Sequence, residues 1–137
     1  MKGYMSYQKN NKMKNIFLFL LLLISSNLYS QEFITDDNFK DKINSSHIVI
    51  IEFWADFNKQ NAFNDWSNIK GGTYYRVNIA EAPLAKKKYR IRMAPTIIIF
   101  KEGDKNTIFK AGLDLLFPAS LNDINEAIEE AKLADKF

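Results

Sequence analysis

The run Ile48-Val49-Ile50-Ile51-Glu52-Phe53-Trp54 constrains the fold of this chain more than any other stretch. It opens with four β-branched residues and is apolar at every position except Glu52. A strand with one wet face would alternate apolar and polar side chains. This run does not alternate, so it reads as a central strand buried on both faces. Thr96-Ile97-Ile98-Ile99-Phe100 repeats the pattern. Two such strands need covering layers on both sides, and the rest of the chain has to supply them.

The covering elements follow from local signals. Glu32 to Ile34 reads as a short strand, and Thr35 then caps a helix through Asp36, Asp37, Phe39 and Ile43. Acids in a first turn behind an N-cap threonine suit the helix dipole. Phe63, Trp66 and Ile69, at spacing three, predict a short second helix closed by Gly71-Gly72. Tyr74 to Ile79 is a strand, and Pro83 to Tyr89 a short helix with proline in its first turn. Glu102-Gly103-Asp104 turns the chain into a last strand near Thr107 to Ala111. Ser120 with Asp123 opens a final helix, striped by Leu121, Ile124, Ile128 and Ala131. The order βαβαβαββα implies an α/β sandwich, with parallel strands first and a hairpin at the end.

The first thirty residues read as an address. Ile16 to Ile24 is an unbroken apolar run preceded by lysines and followed by Ser25, Ser26 and Asn27. It is about half the roughly 20 residues a membrane-spanning helix needs. It fits the roughly 7–15 residue apolar region of a secretory signal. Cleavage is expected near Ser30–Gln31, and Met13 would serve as a compact start; an uncleaved anchor is the alternative. The expected division is therefore 1–30 as signal and 31–137 as one domain, periplasmic or secreted. Membrane contact is confined to the signal segment before cleavage.

Charge and composition exclude several functions. The formal charge is +3, but Lys2, Lys9, Lys12 and Lys14 are the only charges before Glu32, so residues 31–137 carry −1. A nucleic-acid partner has no support in that balance. The chain contains no cysteine. Disulfides, thiolate metal sites and a thiol nucleophile are thereby excluded. His47 has no companion at metal-ligand spacing, and neither a metal nor an organic cofactor is expected.

Three segments resemble the thioredoxin family. Ile50 to Ala55 followed by Asp56-Phe57-Asn58-Lys59-Gln60-Asn61 is similar to its active-site segment, roughly D-F-W-A-x-W-C-x-x-C. Tyr89-Arg90-Ile91-Arg92-Met93-Ala94-Pro95-Thr96-Ile97 resembles its Y-x-I-x-x-x-P-T-x segment, and Thr35-Asp36-Asp37-Asn38-Phe39 its entry to the first helix. The resemblance spans about Phe33 to Ala134. It implies a three-layer sandwich, a central mixed sheet flanked by helices, with a cis-proline at Pro95 facing the start of the second helix.

The departure from the family is chemical. Asn58 and Asn61 stand where the resemblance places the two redox cysteines. Disulfide exchange needs a thiolate to attack and a second thiol to resolve, and a carboxamide does neither. Asn58 reads first as an N-cap of the second helix, with contact to a partner's backbone as the other reading. Asn61 reads as a plain helix residue, Trp54 as core, and Phe57 as partly exposed. Glu52 inside an apolar run demands a partner, because a lone buried carboxylate is costly. The resemblance sets Arg76 on the neighbouring strand beside it, so the two are expected to form a buried pair. Lys86, Lys87, Lys88, Arg90 and Arg92 form a basic cluster, read as a solvated face or as a contact for an anionic surface.

The function expected on this basis is a thioredoxin-like domain without redox chemistry that binds a protein or an extended peptide. In the family, the residue before the cis-proline offers its backbone to an extended substrate. By that analogy Phe57, Asn58, Ala94 and Pro95 are the candidate peptide site, with Ala94 leaving the edge open. The rival readings are a structural subunit of a larger envelope assembly and, further off, a non-thiol enzyme or glutathione-type site.

Overall fold

The computed structural model describes residues 33–134. Four strands form one sheet: β1 (Ile48–Trp54), β2 (Thr73–Asn78), β3 (Thr96–Lys101) and β4 (Asp104–Lys110). Their order is β2-β1-β3-β4. β1 runs parallel to β2 and antiparallel to β3, and β3 pairs antiparallel with β4. Among the described residues the α-helices are α1 (Asp36–Ile43), α2 (Pro83–Lys88) and α3 (Leu121–Leu133). No described helix is long and apolar enough to cross a membrane.

Both faces of the two central strands are covered. Val49, Ile51 and Phe53 of β1 point with Ile98 and Phe100 of β3 into one core, which takes Phe39 and Ile43 from α1 and Ala85 from α2. Tyr89 closes that core, packing edge-on to Phe100 at 5.2 Å between ring centroids. The alternate residues Ile48, Ile50, Ile97 and Ile99 meet Ile124, Ala127, Ile128 and Ala131 of α3 on the other side. Period-two side chains thus serve two cores from one strand. Asp36 ties the two helices of this layer together: its carboxylate accepts from the Leu84 and Ala85 N–H groups, both at 2.9 Å, at the start of α2.

Three expectations change. Phe33 and Ile34 lie in no strand, although Ile34 is buried, and Glu32 and the whole signal segment lie outside the described residues. The last strand starts earlier, at Asp104, because the Gly103 turn (φ 83°) reverses the chain at once. The second helix is not an α-helix. Two 3₁₀ segments, Asp56–Asn61 and Trp66–Asn68, take its place. Spacing three is the repeat of a 3₁₀ turn as much as of an α-helical face. Ala62 is extended (φ −65°, ψ 150°). The break lets Phe63 enter the α3-side core, stacked on Phe117 at 4.8 Å. Trp66 lies half-exposed, nearly parallel to the Tyr74 ring at 6.4 Å.

Candidate functional site

β1 ends at Trp54, and Ala55 is the extended residue that precedes the first 3₁₀ segment. Asn58 therefore sits inside that segment, not at its cap. Its backbone is non-helical (φ −128°, ψ 24°) and its side chain is buried, 5% exposed. The cap reading fails for a geometric reason: the carboxamide points away from the segment's own N–H groups. Its Nδ2 donates to the Ala94 carbonyl at 2.9 Å and to the Leu115 carbonyl at 2.8 Å. Asn61 is likewise no plain helix residue. Its Nδ2 donates to Asn58 Oδ1 at 2.9 Å and to the Leu115 carbonyl at 3.0 Å.

These four bonds use both amide protons of Asn58, its oxygen and both amide protons of Asn61. They form a carboxamide clasp joining three distant stretches of chain. Leu115 receives two of the bonds and takes a left-handed conformation (φ 56°). The turn that sets it there is held by Leu115 N–H to Gly112 O at 3.1 Å and by Leu116 N–H to Asp114 Oδ1 at 3.1 Å. Left-handed backbone is costly for a branched side chain, and the clasp offsets that cost. Nothing local in the sequence ties Leu115 to Asn58, 57 residues away.

The clasp also reaches the cis-proline turn. The Ala94–Pro95 bond is cis, and both residues are buried. The Ala94 carbonyl accepts from Asn58, which uses one of its two lone pairs from within the chain. The exposed part of this face is side chain, not backbone. Phe57 is 70% exposed, Leu113 95% and Leu116 55%. Phe57 adjoins Asn58 in sequence, and Leu113 and Leu116 flank Leu115, so the clasp ties together the backbone that carries these apolar side chains.

Beneath the 3₁₀ segment lies Glu52, fully buried on the α3 side of β1. Register places Arg76 directly opposite on β2, with Tyr74 two residues earlier on the same face. Arg76 Nε lies 3.5 Å from Glu52 Oε2 but makes no hydrogen bond; its guanidinium stacks over Trp54 at 5.0 Å. The closer partners of the carboxylate are the Tyr74 hydroxyl, which donates to Oε2, and the Phe63 N–H, which donates to Oε1 at 3.0 Å. Burial pushes the Glu52 carboxyl above its usual range, against the pull of Tyr74, Phe63 and, least, Arg76. Burial and the Glu52 charge likewise raise the Tyr74 hydroxyl. The group anchors the 3₁₀ segment to the sheet through Phe63, and no nucleophile adjoins it. Tyr74 was findable from sequence: it lies two residues from Arg76, hence on the same strand face.

The sequence profile of the thioredoxin family matches residues 30–116. A mutant thioredoxin from Halobacterium salinarum NRC-1 has 13% identity, covering 72% of this chain and 88% of its own, with a TM-score of 0.58. Thioredoxin from Malassezia sympodialis has 21% identity, covering 74% and 90%, with a TM-score of 0.53. Human ERp44 in a zinc-bound form has 17% identity over 72% of this chain and 30% of its own, with a TM-score of 0.53. At these identities the likeness to solved structures is one of fold.

Proposed function

The chain belongs to the thioredoxin family yet holds no cysteine, and on that premise we propose that it is an exported, non-catalytic module that binds a protein segment. The observation that carries the reading is the face around the clasp. Where the family keeps two thiols, this chain keeps two carboxamides that bond each other and the Ala94 and Leu115 carbonyls. On the clasped segments stand three largely exposed apolar side chains: Phe57, Leu113 and Leu116. The contact is made by these side chains. Strand addition at Ala94 is the lesser part, because its carbonyl is already bonded.

Affinity at such a face rests on a few apolar anchors, and truncating one typically costs more than ~1 kcal/mol, or about fivefold. The test is binding of an unfolded protein with blocked thiols, followed by fluorescence anisotropy with and without reductant. Phe57→Ala and Leu113→Ser should each weaken binding about fivefold or more, and reductant should change nothing. Equal affinity for wild type and both variants would refute the site. Export is checked separately, by the mass of the protein from its host, which should begin near Gln31.

A further inference from the structure

A cavity of about 330 Å³ opens between the segment leading to Pro95 and the end of β4, lined by Arg90, Ile91, Arg92, Met93, Thr96 and Lys110. It holds three cations and no acid. Among the described residues no carboxylate pairs with Arg90, Arg92 or Lys110. Residues 33–134 contain equal numbers of acidic and basic side chains, so this concentration is not an overall excess.

The lysines of the neighbouring cluster have a local explanation. Lys86, Lys87 and Lys88 form the last turn of α2, where positive charge complements the helix dipole. Arg90 has no such explanation. The Arg90 N–H donates to Lys87 O and the Ile91 N–H to Lys86 O, the paired bonds of a Schellman cap. In that cap the left-handed residue is usually glycine, yet here it is Arg90 at φ 54°. A strained residue of this kind persists where its side chain has a use. Arg90, Arg92 and Lys110 converge on the cavity, and guanidinium groups suit the planar, two-oxygen geometry of a carboxylate.

Resting on the apolar reading above, we infer that this cavity receives a carboxylate side chain of the bound protein segment. The two sites are carried by neighbouring residues of the chain. Met93 lines the cavity and the next residue, Ala94, is the one clasped by Asn58; Lys110 lines it and Leu113 lies three residues on. The ligand is thus an extended segment carrying an apolar anchor for Phe57, Leu113 and Leu116, with Asp or Glu a few residues away.

The test uses the full chain and two fluorescent peptides with the same leucine and phenylalanine anchors. Glutamates flank the anchors in one peptide and glutamines in the other. The glutamate peptide should bind about five- to tenfold more tightly at low salt, and salt should erode the difference. Arg90→Gly with Arg92→Gln should abolish the preference and leave the glutamine peptide unaffected. This pair should fold, since glycine relieves the left-handed strain and Arg92 is exposed. Equal binding of the two peptides, both weakened by Phe57→Ala, would overturn the acidic pocket and leave the apolar face standing. A glutamate preference lost with the arginine changes, together with affinities for both peptides that Phe57→Ala leaves unchanged, would support the pocket and overturn the apolar face. Binding of neither peptide overturns both. Loss of the preference to an equal concentration of inorganic phosphate would make the pocket a site for free oxyanions and overturn the peptide assignment.

Discussion

Glu52→Gln should flatten the pH dependence of folding stability. The Glu52 carboxyl is fully buried, and its desolvation raises it above the ordinary glutamate range despite three favourable partners. The native state therefore holds this proton to higher pH than the unfolded chain does. Stability from the protonated form is fully present below the unfolded value. It is lost as pH rises through the raised folded value, with a slope of up to about 1.4 kcal/mol per pH unit. Glutamine cannot titrate, so the variant lacks this slope. It retains an oxygen for the Phe63 N–H but loses the charge that strengthens the Tyr74 bond, a difference of about 1 kcal/mol. Urea unfolding of both proteins, from mildly acidic to neutral pH, gives the difference in stability. All other titrating groups are shared and cancel in that difference. Wild type should lose ground relative to Glu52→Gln as pH rises. Parallel curves, or a difference moving the other way, would refute the reasoning.

Further outcomes follow from the contacts described above. Tyr74→Phe removes the nearest donor to a buried carboxylate and should cost ~1.5–3 kcal/mol in chemical denaturation. Arg76→Met, removing the longer 3.5 Å contact and the exposed-side stacking over Trp54, should cost less. Asn58→Ala leaves the Ala94 carbonyl without its Asn58 donor and should destabilise by ~1–3 kcal/mol. Asn58→Asp should be worse at neutral pH, because it turns oxygens toward two carbonyls, and should partly recover in acid. Arg90→Gly should stabilise by about 0.5–1 kcal/mol through relief of left-handed backbone, read as a raised urea midpoint.

The legible parts of the chain were those whose signal is local or strictly periodic. Ile48–Trp54 and Thr96–Phe100 announce doubly buried strands because nothing polar alternates through them, and both lie at the centre of the sheet. Ser120 and Asp123 announce the start of α3, where Asp123 N–H donates to Ser120 Oγ and the Asp123 carboxylate accepts from Ser120 N–H. The second helix misled because Phe63, Trp66 and Ile69 fit a three-residue repeat of either kind. The choice was made by tertiary packing, when Phe63 inserted against Phe117 and bonded Glu52. Asn58 misled for a related reason. Asparagine is a good cap when its only neighbours are its own helix N–H groups, but here two carbonyls from distant loops compete for the amide and win. No spacing rule reaches from Asn58 to Leu115.

The carboxamide clasp has a consequence for when this face can be used. In an oxidoreductase of this fold the corresponding position changes chemical state with every turnover, and its surface changes with it. Asn58, Asn61 and the two carbonyls contain no group that ionises in the physiological range and no sulfur to oxidise. The closure is therefore blind to redox poise and to acidity. A partner bound at this face would meet the same clasp under reducing and oxidising conditions alike.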